Sequence, residues 1–128
     1  MRISTLLAVN AFVAMPFGIA FTFAPAETAA PYGVQLPLAG LLLARLFGAS
    51  LIGFGIVSWL LRTADAGAQR AAAISIAVAD AIGTTIAISG VVSGTLNSLG
   101  WSAVAIYGLI FGAFAIHLIR RPVAARAS

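Results

Sequence analysis

The chain has 128 residues, of which 62% are hydrophobic and only 8% are charged. A soluble domain carries about 25% charged residues, so this composition excludes an ordinary soluble protein and indicates an integral membrane protein. The formal net charge of +4 does not indicate a nucleic-acid partner, because most of the basic residues flank apolar segments.

Four apolar segments are each long enough to cross a bilayer, whose core of about 30 Å needs about 20 apolar residues per helix. They extend over about residues 4–24, 38–61, 71–92 and 101–119. In lipid a lone segment satisfies its peptide groups only as a helix, and no alternation of apolar and polar residues indicates strands. The sequence therefore predicts an all-α fold: a single membrane domain over residues 1–128, a polytopic antiparallel bundle of four transmembrane helices.

The links between these segments are short, which makes consecutive helices antiparallel neighbours. Residues 25–37 contain three prolines and are expected to be irregular, residues 62–70 to form a short polar turn, and residues 93–100 to form an uncharged turn. A cleaved signal peptide is the alternative for the first segment. Its apolar stretch is longer than the usual signal core of about 7 to 15 residues and is followed by Pro25, so a first membrane helix is favoured.

The basic residues predict the orientation in the membrane. All seven are arginine, and with four crossings six of them lie on one side: Arg2, Arg62, Arg70, Arg120, Arg121 and Arg126. The other two links contain no basic residue. The positive-inside rule then places both termini in the cytoplasm. Arginine without lysine, together with abundant Ala and Gly, indicates a bacterial protein, so the expected location is the inner membrane.

Arg45 and Asp80 are the ionisable residues inside predicted spans. Each costs about 2.5 to 3.5 kcal/mol on insertion scales, which makes them the first candidates for a functional role. We expect the two side chains to face one another, directly or through water. The pair is either structural or a site for a proton or solute. In the remaining alternative, Arg45 points outward to Glu27 or lipid headgroups and Asp80 is protonated or hydrogen-bonded elsewhere.

Other polar residues lie at similar depths. Asn10 is close enough in depth to Asp80 to share a hydrogen bond, and Thr84 is one helical turn from Asp80 on the same face. The alternative for Thr84 and Thr85 is a bond to their own backbone four residues earlier, which is common for threonine in membrane helices.

Small residues predict close helix contacts. Gly108 and Gly112 form a GxxxG motif in the fourth span, and Ala44, Gly48 and Gly55 form a stripe in the second. Such stripes let helix backbones approach in lipid, either within one bundle or between two copies.

The sequence gives no reason to predict an enzyme, a metal site or a cofactor. It has no cysteine, and its single histidine, His117, is expected to lie at the membrane interface beside Arg120 and Arg121. No phosphate-binding loop, zinc-protease motif or nucleophile elbow is present.

The segment LARLFG at residues 43–48, followed by LIGFG at 51–55 and the charged helix end at Arg62, resembles the small bacterial four-helix membrane proteins of the DoxX-like type. The resemblance implies a four-helix membrane fold and gives Arg45 and Gly48 packing or site positions. Some members of that group are implied to be subunits of quinone-linked redox systems.

Three functions are therefore open from the sequence. The favoured one is a non-enzymatic accessory or scaffold subunit that associates within the bilayer with itself or with a larger membrane complex. The second is a proton-coupled transporter or small-ligand-binding protein that uses Asp80 and Arg45. The third is a quinone-linked redox subunit, which only the family resemblance implies.

Overall fold

The structure, a computed structural model, describes residues 1–121, so Arg126 of the basic C-terminal tail lies outside the described residues. The described chain contains helices and no strand, which confirms the predicted all-α fold. The helices are α1 (Ile3–Phe23), α2 (Pro25–Ala29), α3 (Leu38–Leu61), α4 (Ala66–Val92) and α5 (Gly100–Arg120). All except α2 are long and apolar enough to cross a membrane.

The link after α1 is more ordered than the three prolines predicted. It contains the short helix α2 and a 3-10 turn at Ala30–Tyr32, and only residues 33–37 are irregular. Pro25 and Pro31 each lie in the first two positions of these elements. A proline is tolerated there because the first N–H groups of a helix have no internal partner to lose.

Helix α4 begins at Ala66, five residues before the predicted start at 71, so much of the expected polar turn is helical. The carboxylate of Asp65 accepts a hydrogen bond from the Ala68 N–H at 3.0 Å and caps this end. Residues 66–70 read AGAQR, and four of these five residues are good helix formers, which lets the helix extend out of the apolar segment.

The long helices pack mainly in two pairs. Helix α1 makes its largest contact with α3, and α4 makes its largest contact with α5, whereas α1 has smaller contacts with α4 and α5. Along the α1–α3 contact, residue numbers run in opposite directions. The rings of Phe12 and Trp59 pack edge to face with centroids 5.7 Å apart, and those of Phe21 and Phe47 do so at 5.4 Å.

The buried apolar cluster lies at one end of the molecule and draws on α1, α4 and α5, with Leu61 of α3 packed against it. Its members are Leu6, Leu7, Ala73, Ile76, Ala77 and Phe114. At the same end, the Arg70 guanidinium donates to the Arg121 main-chain oxygen at 2.9 Å. We call this the arginine end, because Arg2, Arg62, Arg70, Arg120 and Arg121 lie at the helix termini gathered here.

The opposite end is formed by the link between α1 and α3 and by the link between α4 and α5, and we call it the link end. The Asn97 N–H donates to the Tyr32 oxygen at 3.0 Å, and its side-chain amide donates to the Pro31 oxygen at 2.9 Å. Gly94 follows the end of α4 with a φ of 76°, a left-handed conformation that strains other residues. These bonds connect the two helix pairs at the end away from the apolar cluster.

Candidate functional site

Asp80 lies on the face of α4 that is turned into the protein. The buried residues of α4 are Ala73, Ile76, Ala77, Asp80 and Ala87, and their spacing of three, one, three and seven places them on one side of the helix. Only 6% of Asp80 is exposed. Within residues 1–121, its Oδ2 is the one buried side-chain oxygen or nitrogen that has no hydrogen-bond partner.

This isolation is unusual because at least about 90% of buried polar groups in proteins have a partner. An ionised carboxylate in an apolar interior loses its hydration and receives nothing in return. A carboxyl that holds a proton is neutral and avoids that cost, and so does a carboxylate that holds a cation. The Asp80 carboxyl could therefore bind and release a proton or a cation.

Arg45 does not neutralise Asp80. Its side chain is exposed, and the buried positions of α3 are Gly48, Gly55 and Ser58. At about 100° per residue, Arg45 lies about 60° to 140° around the helix from those positions.

The pairing of the helices gives a second reason why Arg45 does not neutralise Asp80. Helix α3 packs chiefly on α1, whereas Asp80 belongs to the α4–α5 pair. The described residues form no ion pair with the Asp80 carboxylate, whose Oδ2 is unpartnered. The structure thus corrects the expectation of a direct contact, because no ion pair joins Arg45 to Asp80.

Asn10 is also buried, but its partner is not Asp80. Its side-chain amide donates to the Ser58 hydroxyl at 2.9 Å, and this bond joins α1 to α3 inside the protein. The expected hydrogen bond between Asn10 and Asp80 is therefore not formed. The sequence contained a signal for Ser58: α3 has only two hydroxyl residues, Ser50 and Ser58, and Ser58 is nearer the end where α1 begins.

Thr84 lies one turn from Asp80, and its hydroxyl donates to the Asp80 main-chain oxygen at 2.6 Å. Thr85 makes the same local bond to the Ala81 oxygen at 3.0 Å. These are the backbone bonds common for threonine in helices, and they commit each hydroxyl proton to the backbone. Thr84 therefore lies beside the carboxylate in sequence without donating to it.

Tyr107 of α5 is a neighbour of this site that sequence reasoning missed. It packs on Gly83, where an added Cβ would lie 2.6 Å from Cδ1 and 2.7 Å from Cε1 of the tyrosine ring. Gly83 is one turn after Asp80, so the ring lies against the α4 backbone next to the carboxylate. The available signal was Gly83 itself, because a glycine in an apolar helix leaves room for a group from another helix.

The predicted packing glycines fall into two groups. A Cβ on Gly48 would lie 2.6 Å from the Thr22 nitrogen, and one on Gly55 would lie 2.7 Å from Met15 Cγ, so both glycines sit at the close α1–α3 contact. In α5, a Cβ on Gly108 would lie 3.8 Å from Thr84 Cγ2. A Cβ on Gly112 would have no atom of the described residues within 4 Å. The GxxxG motif therefore forms no tight helix contact within residues 1–121.

Across residues 1–121, no three histidine, cysteine or acidic side chains are grouped to hold a metal ion. Comparison of the chain with protein-family models, with curated proteins and with solved structures gives no match. The resemblance to the DoxX-like type, and the quinone-linked role it implies, therefore stays a prediction.

Proposed function

We propose that the protein is an integral protein of the bacterial inner membrane, in which α1, α3, α4 and α5 cross as an antiparallel four-helix bundle. The length and apolar character of these helices support the crossings. The gathering of arginines at one end supports a cytoplasmic location for that end and for both termini. The link end, which carries no basic residue, would then face the periplasm.

Within this bundle we propose that Asp80 is the working group of a proton-coupled transporter or small-ligand-binding protein. The observation that carries the proposal is the buried Oδ2 without a partner. A structural acid would be expected to have a partner, yet Arg45 is exposed and Asn10 is bonded to Ser58. An isolated ionisable group in a membrane interior is costly, and such groups typically mark proton or ion pathways.

The chemistry of the site favours a positively charged ligand. A proton makes the carboxyl neutral and acceptable in the dry interior, and a small cation or protonated amine does the same for the ionised form. Exchange of one for the other at Asp80 couples binding of the ligand to release of a proton. Arg45 has no part in this step, in contrast to the expectation from sequence.

The chain has only three acidic residues, Glu27, Asp65 and Asp80, which makes the carboxyl signals assignable. We expect pH-difference infrared spectroscopy to detect a carboxyl C=O stretch that Asp80→Asn removes and that Glu27→Gln and Asp65→Asn retain. In proteoliposomes under an imposed pH gradient, wild type is expected to carry a proton flux that small amines stimulate. A flux unchanged by Asp80→Asn would exclude this function.

A second candidate is the accessory or scaffold role, in which the chain associates with itself or with a larger membrane complex. The open space at Gly112 favours it, because a GxxxG motif that makes no tight contact with the described part of the chain is available to another helix. In this case Asp80→Asn changes only thermal stability, and Gly112→Leu reduces cross-linked oligomers. Gly53→Leu is the matched control, because Gly53 also has open space but lies on α3.

A further inference from the structure

We propose that the arginine end contains a binding site for the phosphate headgroup of an anionic phospholipid. A cavity of about 310 Å³ lies between the beginning of α1 and the last turns of α5. His117, Arg120 and Arg121 form its polar wall, and Leu6, Ala113 and Ile116 form its apolar wall. This inference rests on the membrane placement proposed above and not on the role of Asp80.

The charge of the cavity is positive and is not neutralised by the described side chains around it. Two arginines are among its lining residues, and within residues 1–121 none of these lining residues is acidic. The Arg70 guanidinium lies close by, since it donates to the Arg121 main-chain oxygen at 2.9 Å. Asp65 is the one acid of the link at this end, and its carboxylate caps α4 by accepting from the Ala68 N–H at 3.0 Å.

Arg62 is a useful contrast because it lies at the same end but outside the cavity. Its guanidinium carbon lies 3.6 Å from the centre of the Trp59 ring, and it donates to the Trp59 oxygen at 2.8 Å. Arg62 thus contributes to the positive charge of the surface but does not line the cavity. Orientation by the positive-inside rule needs only arginines of this kind, near the surface. The cavity beside Arg120 and Arg121 is an additional feature.

The composition of the two walls matches a lipid better than a soluble anion. Adjacent arginines bind phosphate oxygens through paired N–H donors, which a free phosphate would also use. The apolar wall formed by Leu6, Ala113 and Ile116 suits the glycerol and upper acyl carbons of an amphiphile. Basic pockets at the cytoplasmic ends of membrane helices lie at the depth of the anionic headgroups.

The test compares retained lipid by native mass spectrometry after extraction from vesicles of dioleoylphosphatidylglycerol and dioleoylphosphatidylcholine. Wild type is expected to retain phosphatidylglycerol in preference. The double variant Arg120→Gln with Arg121→Gln is expected to lose about fivefold in affinity per arginine, or about 25-fold in total. The single variant Arg120→Gln is expected to lose about fivefold, whereas Arg62→Gln also removes one charge, but outside the cavity, and is expected to keep the preference.

Three outcomes would contradict the proposed phospholipid site. An Arg62→Gln loss as large as that of Arg120→Gln alone would indicate diffuse surface charge. Displacement of the lipid by inorganic phosphate at millimolar concentration would indicate a soluble anion. Unchanged retention in the double variant would exclude the cavity altogether.

Separate control experiments test whether the variants fold and whether the lipid site depends on Asp80. Arg120 and Arg121 are exposed, so the double variant is expected to keep its helical circular dichroism and elution volume. The variant Arg120→Lys with Arg121→Lys keeps the charge and is expected to restore part of the binding. Asp80→Asn is expected to retain phosphatidylglycerol, so a failure of the transport proposal leaves the lipid site standing. Carbonate extraction of the membranes tests the shared assumption of membrane insertion.

Discussion

At the scale of single residues, three buried polar side chains within residues 1–121 distinguish this interior from a purely apolar one. Asn10 of α1 and Ser58 of α3 form a hydrogen bond with each other, whereas the Oδ2 of Asp80 has no hydrogen-bond partner. The sequence singled out Asn10 and Asp80, because a polar residue in an apolar segment is conspicuous. It did not identify their partners, because depth along a helix says nothing about which side of the helix a residue occupies.

We expect the Asn10–Ser58 hydrogen bond to contribute measurable coupling between α1 and α3. Asn10→Ala, Ser58→Ala and the double variant form a mutant cycle, with a coupling of about 0.6 to 2 kcal/mol, as for hydrogen bonds between membrane helices. Unfolding in mixtures of mild detergent and sodium dodecyl sulfate measures it.

The control for this cycle is Ser75→Ala. Ser75 is exposed, and its hydroxyl donates to the Ala71 oxygen of its own helix at 3.0 Å. Its loss is expected to change the unfolding free energy by less than about 0.5 kcal/mol. Strictly additive effects of Asn10→Ala and Ser58→Ala would show that the bond carries no stability.

At the scale of elements, the helices follow closely from the apolar segments, and the differences arise at their ends. The predicted span of 38–61 coincides with α3, while α4 begins five residues earlier than expected. Helix ends depend on caps, such as Asp65, and on the propensity of the flanking residues, whereas the hydropathy of a segment indicates only the part that suits lipid.

The α1–α3 contact depends on glycine at position 48. A Cβ there would lie 2.6 Å from the Thr22 nitrogen and 2.7 Å from the Gly18 oxygen, and these backbone atoms cannot move aside without separating the helices. We expect Gly48→Ala to lower the unfolding free energy by about 1 to 3 kcal/mol, the usual cost of overpacking. Thermal unfolding in detergent measures the change.

Gly53→Ala is the matched variant in the same helix. Among residues 1–121, nothing lies within 4 Å of a Cβ added at Gly53, so alanine is expected to leave stability unchanged or raise it by up to about 1 kcal/mol through its better helix propensity. Equal effects of Gly48→Ala and Gly53→Ala would show that the close approach does not limit stability.

At the scale of the whole molecule, two helix pairs meet around the apolar cluster at the arginine end and are joined by Asn97 at the link end. The consecutive helices α1 and α3, and likewise α4 and α5, pair as the short links predicted. Helices α3 and α4 do not follow that prediction, because they are also joined by a short link but have only a small contact. The smaller contacts between the pairs determine what surrounds Asp80, and no sequence pattern predicted them. The four long helices are apolar on all sides, so hydropathy does not mark which face is buried.

The topology can be tested directly because the chain has no cysteine to give background labelling. We expect Gln35→Cys and Ser98→Cys, in exposed parts of the link end, to react with a membrane-impermeant maleimide in intact cells. Thr63→Cys, exposed near the arginine end, is expected to react only after permeabilisation. Reaction of Thr63→Cys in intact cells would reverse the proposed orientation, and labelling of all three from one side would contradict four crossings.

Hydropathy alone determined that the chain is helical, that four segments are long enough to cross a membrane, and roughly where each begins and ends. Those properties depend on local composition and on the need of each peptide group for a partner, which a single helix satisfies. Only the tertiary structure separated Arg45 from Asp80, paired Asn10 with Ser58 and placed Tyr107 on Gly83. The rotation of each helix about its axis decides these contacts, and that rotation is set by close packing between helices that are apolar all round.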